Sequence, residues 1–462
     1  MESERFDALV IGAGQAGPTV ATRLAGSGLK TALIERAHLG GTCVNDGCTP
    51  TKTLVASARA AWTAHHAGNY GVRIGGDIGV DMKAVKARKD AVVAQSVSGL
   101  HKWFASTPNL ELIWGDARFV APHALQVGER VLEAPKIFIN TGGRPVVPDW
   151  PGLNELPYLT NVSMMDLDEL PEHLVVVGGS YIGLEFAQMY RRFGAKVTVL
   201  EYADRLIARE DEDVTREVQA LLEREGIVFE LGVRDGAVSR AEDGHGVHVS
   251  VSVGGVPREI EGSHLLLAVG RRPNTDSLAL DKAGIAVDQR GNILVDDELR
   301  TNVDGVWALG DTNGRGAFTH TSYNDGEIVV ANLLDGEQRR VSQRIPAYAM
   351  YIDPPLARVG LSETEARKSG RPVLMATLPM ARVARARERG ETDGFMKVIV
   401  DAQTKRILGA SLLGIEADEV VQLLLTAMAA DAPYTVIQRC MYIHPTVSEL
   451  LPTLFAGLKP LS

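Results

Sequence analysis

Cysteine is scarce in this chain, 3 in 462 residues, and aromatic residues make up only 5%. Three cysteines cannot staple a chain of this length, which excludes a secreted disulfide scaffold. Nowhere is there a run of about 18 apolar residues, the length that a membrane-spanning helix needs. The apolar stretch around Val420 to Ala430 is too short. The start, Met1-Glu2-Ser3-Glu4-Arg5, has no basic region leading into a long apolar core and a cleavage site, so no secretory leader is expected. Basic charge is also in deficit: 48 Lys and Arg against 58 Asp and Glu give a formal charge of −10. That argues against nucleic acid and anionic membranes as partners, since both need a basic face. The expectation is a soluble, cytoplasmic protein. In that reducing setting a close cysteine pair is more often catalytic or metal-binding than structural.

What remains is an ordinary globular composition, 45% hydrophobic and 23% charged, which excludes disorder, collagen and coiled coil. The length suggests two to four domains at about 100–200 residues each. Glycine is in surplus, with 47 residues. Residues 6–11 read as a strand, followed by Gly12-Ala13-Gly14-Gln15-Ala16-Gly17, a helical pattern through Ala25, and a second strand ending in Glu35. A G-x-G-x-x-G turn between strand and helix lets backbone approach a pyrophosphate at the helix N-terminus, and an acid at the end of the next strand can accept from ribose hydroxyls.

The pattern recurs. Leu174–Val177 precedes Gly178-Gly179-Ser180-Tyr181-Ile182-Gly183, and Val197–Leu200 ends in Glu201. Gly12 to Gly178, Gly17 to Gly183 and Glu35 to Glu201 share one offset, 166 residues. Ser180 replaces the middle glycine but is small enough to allow close approach. Two dinucleotide sites in one chain suggest a flavin and a nicotinamide. Glu201 favours NADH, because it would repel a 2′-phosphate. Arg205 and Arg209 downstream read either as phosphate ligands or as solvated surface.

Cys43 and Cys48 stand in Gly40-Gly41-Thr42-Cys43-Val44-Asn45-Asp46-Gly47-Cys48-Thr49-Pro50-Thr51-Lys52. A regular helix would separate them by about 7.5 Å along its axis. A disulfide needs Cα atoms within about 7 Å, so pairing requires a bend, which Gly47 and Pro50 make plausible. Inert buried thiols are the plain alternative. A zinc site would need two further ligands, and none is suitably spaced. The position directly after the first nucleotide motif points to redox activity.

The segment from Gly40 to Lys52 resembles the active-site signature of the class I pyridine nucleotide–disulfide oxidoreductases, the family of glutathione reductase, dihydrolipoamide dehydrogenase and mercuric reductase. The resemblance runs over essentially the whole chain. It implies an α/β architecture of two Rossmann-like dinucleotide-binding domains plus a C-terminal α+β dimerisation domain. The expected division is 1–146 and 273–343 for FAD, 147–272 for NAD(P), and 344–462 for the interface. It implies Cys48 as the thiol against the flavin, Cys43 as the interchange thiol that meets substrate, and Lys52 paired with Glu185 near the flavin. Gly41 and Thr42 belong to the same motif. Thr141 and Gly142 resemble the family's return to the FAD domain, and Gly270 the exit from the NAD domain. Gly310 and Asp311 resemble the second FAD motif, with Asp311 on a ribitol hydroxyl. Gly115 and Thr319 fall where the family touches adenine and isoalloxazine.

Ile443-His444-Pro445-Thr446-Val447-Ser448-Glu449 is similar to the family's terminal motif, in which the histidine crosses a dimer and serves as acid/base toward the interchange thiol. His444 and Glu449 take those positions, which implies a homodimer with its sites at the interface. Asp46 departs from the apolar residue often found there, and Cys440 reads as a buried apolar residue.

Thr51–Ala58, Asp353-Pro354-Pro355 and Gly390–Lys397 look like the mercuric reductase branch. The end, Gly457 to Ser462, has no cysteine pair of the mercury-delivering kind, and His444 is retained; both argue against mercury. The leading expectation is an enzyme that passes electrons from NADH through FAD and Cys43–Cys48 to a small-molecule or small-protein disulfide acceptor, with no bound metal. The alternatives are reduction of a metal ion (Cu²⁺ or Hg²⁺) or a quinone by the same path, and a flavoprotein serving mainly within a complex.

Overall fold

The computed structural model describes residues 3–241, 244 and 246–461. The readings at Met1, Glu2 and Ser462 lie outside them. The two repeated motifs build two parallel sheets. The first has the strand order Val306–Ala308, Lys136–Ile139, Ala8–Ile11, Thr31–Glu35, Leu110–Trp114. The second runs Val228–Leu231, Lys196–Glu201, His173–Val177, His264–Leu267. Ala8–Ile11 and Thr31–Glu35 are buried at every position. Parallel strands covered on both faces need apolar runs such as Ala8–Ile11 and residues 32–34. The first strand begins at Ala8 rather than Phe6, because the Asp7 carboxylate turns to accept Lys30 N at 2.8 Å.

The chain crosses between the halves twice, and the crossings pair with each other: Gly143–Pro145 lies antiparallel to Arg271–Pro273. The C-terminal part folds as a six-stranded antiparallel sheet with helices, the α+β unit that the resemblance implies. Phe395–Asp401 and Ile407–Leu413 are two of its strands.

Two helices set the site. Cys48–His65 packs on Tyr181–Phe193, with Leu54 and Ala58 in one core with Leu184 and Ala187. Behind them a buried ion network ties all three parts together. Arg59 bonds Asp353 Oδ1 at 2.7 Å and Glu391 at 2.8 Å, while Arg192 bonds Glu225 at 2.8 Å and also Asp353. Among the described residues no helix is long and apolar enough to cross a membrane.

Candidate active site

Each glycine loop is closed by the same backbone device. A Cβ on Gly17 would lie 2.0 Å from Gly12 O, and one on Gly183 would lie 1.9 Å from Gly178 O. Only hydrogen fits there. Gly12 and Gly178 themselves sit at φ of 100° and 116°, which L side chains rarely adopt. The acids at the ends of the second strands are clamped alike. Glu35 Oε2 accepts Ala13 N at 2.8 Å and Oε1 accepts Ala37 N at 2.8 Å. Glu201 Oε2 accepts Gly179 N at 2.6 Å and Oε1 accepts Ala203 N at 2.7 Å. The offset of 166 therefore holds at the level of individual hydrogen bonds. These two cradles, each with a carboxylate beside it, fit two dinucleotides.

Both loops open on one cleft of about 1850 Å³, whose walls also carry Cys43, Cys48, Lys52 and Glu185. Gly12, Gly14, Glu35, Gly41, Thr42, Gly115, Thr141, Gly142, Gly178, Glu201, Gly270, Asp311 and Thr319 line it as well. Gly17, Gly183 and Gly310 stand behind its wall; Gly310 N donates to Asp325 Oδ2 at 2.8 Å. Burial raises the Asp311 carboxyl pKa, opposed by Arg271, whose Nε lies 3.5 Å from Asp311 Oδ2.

The cysteines sit on either side of the expected bend. Helix Gly41–Asn45 ends, Asp46-Gly47 breaks the path, and Cys48 starts the 18-residue helix Cys48–His65. Asn45 Nδ2 holds the short helix by donating to Leu39 O at 2.9 Å and Gly41 O at 2.8 Å. Asn161 Nδ2 donates to Asp46 O at 2.9 Å. Burial raises the Asp46 carboxyl.

Both residues of the pair are thiols in this structure. They are unequal. Cys48 is lowered to about 6, chiefly by the hydrogen bond from Cys43, with Thr319 and the Lys52 charge adding to it against burial. Cys43 is raised by donating that bond and by its own burial. Thr319 Oγ1 lies 3.0 Å from Cys48 Sγ. A place at a helix N-terminus further favours a thiolate at Cys48. One turn on, Lys52 Nζ bonds Glu185 Oε2 at 2.8 Å, and Glu185 Oε1 accepts Tyr351 N at 2.7 Å. The Lys52 ammonium also stands 4.6 Å from the Tyr351 ring centroid.

His444 is not in the cleft of its own chain. Its Nδ1 lies 2.9 Å from Glu449 Oε2, and its side chain is 73% exposed. The neighbouring Met441 and Ile443 are 98% and 80% exposed. Cys440, expected to be buried, is exposed, because the chain leaves helix Thr435–Arg439 in an extended conformation and joins this projecting segment.

Sequence reasoning missed several contributors. Asn140 Oδ1 accepts Gly17 N at 3.0 Å while its Nδ2 donates to Leu309 O at 3.0 Å, joining the first glycine motif to the segment that carries Gly310 and Asp311. Its only sequence signal is its place just before Thr141. Arg271 reaches Thr42 Oγ1 at 3.3 Å, and Tyr351 anchors Glu185; neither position follows from spacing. Among the described residues one carboxylate trio, Asp211, Asp213 and Glu363, has metal-like spacing. Lys397 Nζ occupies its centre, at 3.1, 2.8 and 3.1 Å.

Known proteins share this arrangement. The family model described as pyridine nucleotide-disulphide oxidoreductase matches residues 6–326, and its dimerisation domain matches residues 346–455. The probable pyridine nucleotide-disulfide oxidoreductase RclA of Escherichia coli is 38% identical, over 98% of this chain and 100% of the relative. A dihydrolipoyl dehydrogenase of Chlamydia muridarum is 33% identical over 97% and 96%. A mercuric reductase of Staphylococcus aureus is 31% identical over 90% of this chain and 76% of its own length. Among solved structures, a Cu(II) complex of the HOCl-induced flavoprotein disulfide reductase RclA from Escherichia coli superposes with a TM-score of 0.88 at 38% identity, covering 98% and 99% of the two chains. Matches to both family models and to full-length relatives agree with the paired cradles and the thiol pair between them: the chain is an enzyme of the class I pyridine nucleotide–disulfide oxidoreductases, a family that works with FAD and a pyridine nucleotide.

Proposed function

We propose that this chain is an NADH-dependent disulfide reductase in which Cys43 and Cys48 alternate between disulfide and dithiol. In balance, NADH and a proton reduce the Cys43–Cys48 disulfide to two thiols and leave NAD⁺; the dithiol then reduces an acceptor disulfide and closes again. Bound FAD would supply the two-electron relay between nicotinamide and cysteines. The observation that carries this reading is the asymmetric thiol pair, Cys48 lowered to about 6 and Cys43 raised, on the wall of a cleft shared with both cradles. Cys43 attacks the acceptor disulfide once His444 of the partner subunit has taken its proton, and Cys48 remains as the stabilised thiolate. Lys52 holds positive charge near it, and Glu185 and Tyr351 hold Lys52 in place. Glu35 and Glu201 serve the two ribose sites, and Glu201 is the reason for preferring NADH. His444 with Glu449 serves as acid/base from the partner subunit of a homodimer.

The solved Cu(II) complex of the RclA relative favours a second reading, in which Cu²⁺ takes electrons from the same dithiol. Initial rates of NADH and NADPH oxidation with lipoamide, glutathione disulfide, Cu²⁺, Hg²⁺ and quinones separate the two. A disulfide should turn over fastest and stop with Cys43→Ser. Turnover with Cu²⁺ alone would replace the first reading by the second, and acceptor reduction undiminished in Cys43→Ser would reject both.

A further inference from the structure

One cluster lies just behind the cleft wall and shares only Tyr181 with the motifs above. Tyr181 is the first residue of helix Tyr181–Phe193 and the fourth residue of the second glycine motif, Gly178 to Gly183. Its hydroxyl donates to Glu210 Oε1 at 2.9 Å. The Tyr348 hydroxyl, from strand Ala347–Met350 of the C-terminal sheet, donates to the same oxygen at 2.7 Å. The other oxygen, Oε2, accepts Arg358 Nη1 at 2.8 Å. The Glu210 side chain is 0% exposed and that of Arg358 is 3% exposed. The tyrosine rings close on Phe318, which stacks on Tyr348 with centroids 5.2 Å apart and planes 6° apart. Phe318 immediately precedes Thr319, the residue against Cys48. Of the three residues around Glu210, only Tyr181 faces the cleft.

Gly178, Tyr181 and Cys48 line the same cleft, so a nucleotide that lies on the second glycine loop and reaches toward Cys48 would run beside Tyr181. We propose that Glu210 is a positioning residue that tethers Tyr181 across this path, and that the Tyr348 hydroxyl sets how readily the tether releases. When Tyr181 turns aside, Glu210 keeps Arg358 and Tyr348, so the buried carboxylate is not stranded. Without the Tyr348 hydroxyl the same movement leaves Glu210 with Arg358 alone, and release becomes harder. Without the Tyr181 hydroxyl there is no tether to break. Two tyrosines on one oxygen thus act with opposite sign. The inference rests on the nicotinamide reading of the second cradle.

The test is rapid-mixing reduction of the holoenzyme flavin by NADH, read as apparent Kd and limiting rate. Tyr181→Phe should lower the apparent Kd, and Tyr348→Phe should raise it, each by about three- to tenfold. The limiting rate should move less than the Kd in both. Glu210→Gln should lower the Kd, and Tyr348→Phe added to it should no longer raise it. The two Phe variants keep their ring shape and decide the matter even if Glu210→Gln does not fold. Shifts of the same sign, or both within about twofold, which is smaller than one ordinary hydrogen bond, would overturn the tether while leaving the cofactor reading intact. A wild-type flavin reduced by neither NADH nor NADPH would overturn the nicotinamide reading and the tether with it.

Discussion

Cys48 is made acidic by three neighbours acting in different ways. Cys43 donates a hydrogen bond, Thr319 supplies a hydroxyl at 3.0 Å, and Lys52 supplies charge from the next turn, all against the cost of burial. With the thiol near 6, the thiolate predominates at neutral pH and is lost as pH falls through that value. The reduced holoenzyme should therefore show a long-wavelength thiolate-to-flavin band with a midpoint near pH 6 in an anaerobic titration. Thr319→Val should move that midpoint up by about one pH unit. Lys52→Met should move it further, since it removes the cation and uncovers Glu185. An unmoved midpoint in Thr319→Val would take the hydroxyl out of this account. Asp46 is not among the leading influences on either thiol.

The two helices that meet at the site are locked together by charges as well as by apolar packing. Arg192 is 4% exposed, and its carboxylate partners Glu225 and Asp353 are 7% and 12% exposed, so the network sits in low dielectric. Removing one partner of such a set strands the others. Asp353→Ala should destabilise the protein by about 3–5 kcal/mol in denaturant unfolding, and a change near zero would mean that water reaches the site. None of this was legible in the sequence. Arg59, Arg192, Glu225, Asp353 and Glu391 are far apart in the chain, and each alone reads as a surface charge. The cradles were legible because their logic is local: strand, glycine turn, helix, strand and acid follow within about 30 residues, and the copy 166 residues on repeats it. Asn140 and Tyr351 act through contacts across the fold, which leave no periodic trace. Cys440 was misread for a related reason: residue type favours burial, while the extended segment that carries it projects.

At the scale of the whole molecule, one chain keeps its thiols in the cleft and its His444 on an exposed arm. If the arm completes the cleft of a second copy, two defective chains can repair each other. Cys43→Ser and His444→Ala homodimers should each be inactive toward a disulfide. A mixture after subunit exchange should regain about a quarter of wild-type activity, because half the dimers are hybrids and each hybrid has one intact site. No recovery, with exchange verified by mass, would return His444 to its own chain. The second nucleotide unit also meets the C-terminal sheet at Asp211, Asp213, Glu363 and Lys397. There the fold carries its counter-ion on a side chain. A tethered cation cannot be dialysed away, chelated or exchanged, so this joint stays fastened under the conditions in which a soft metal would saturate the thiols.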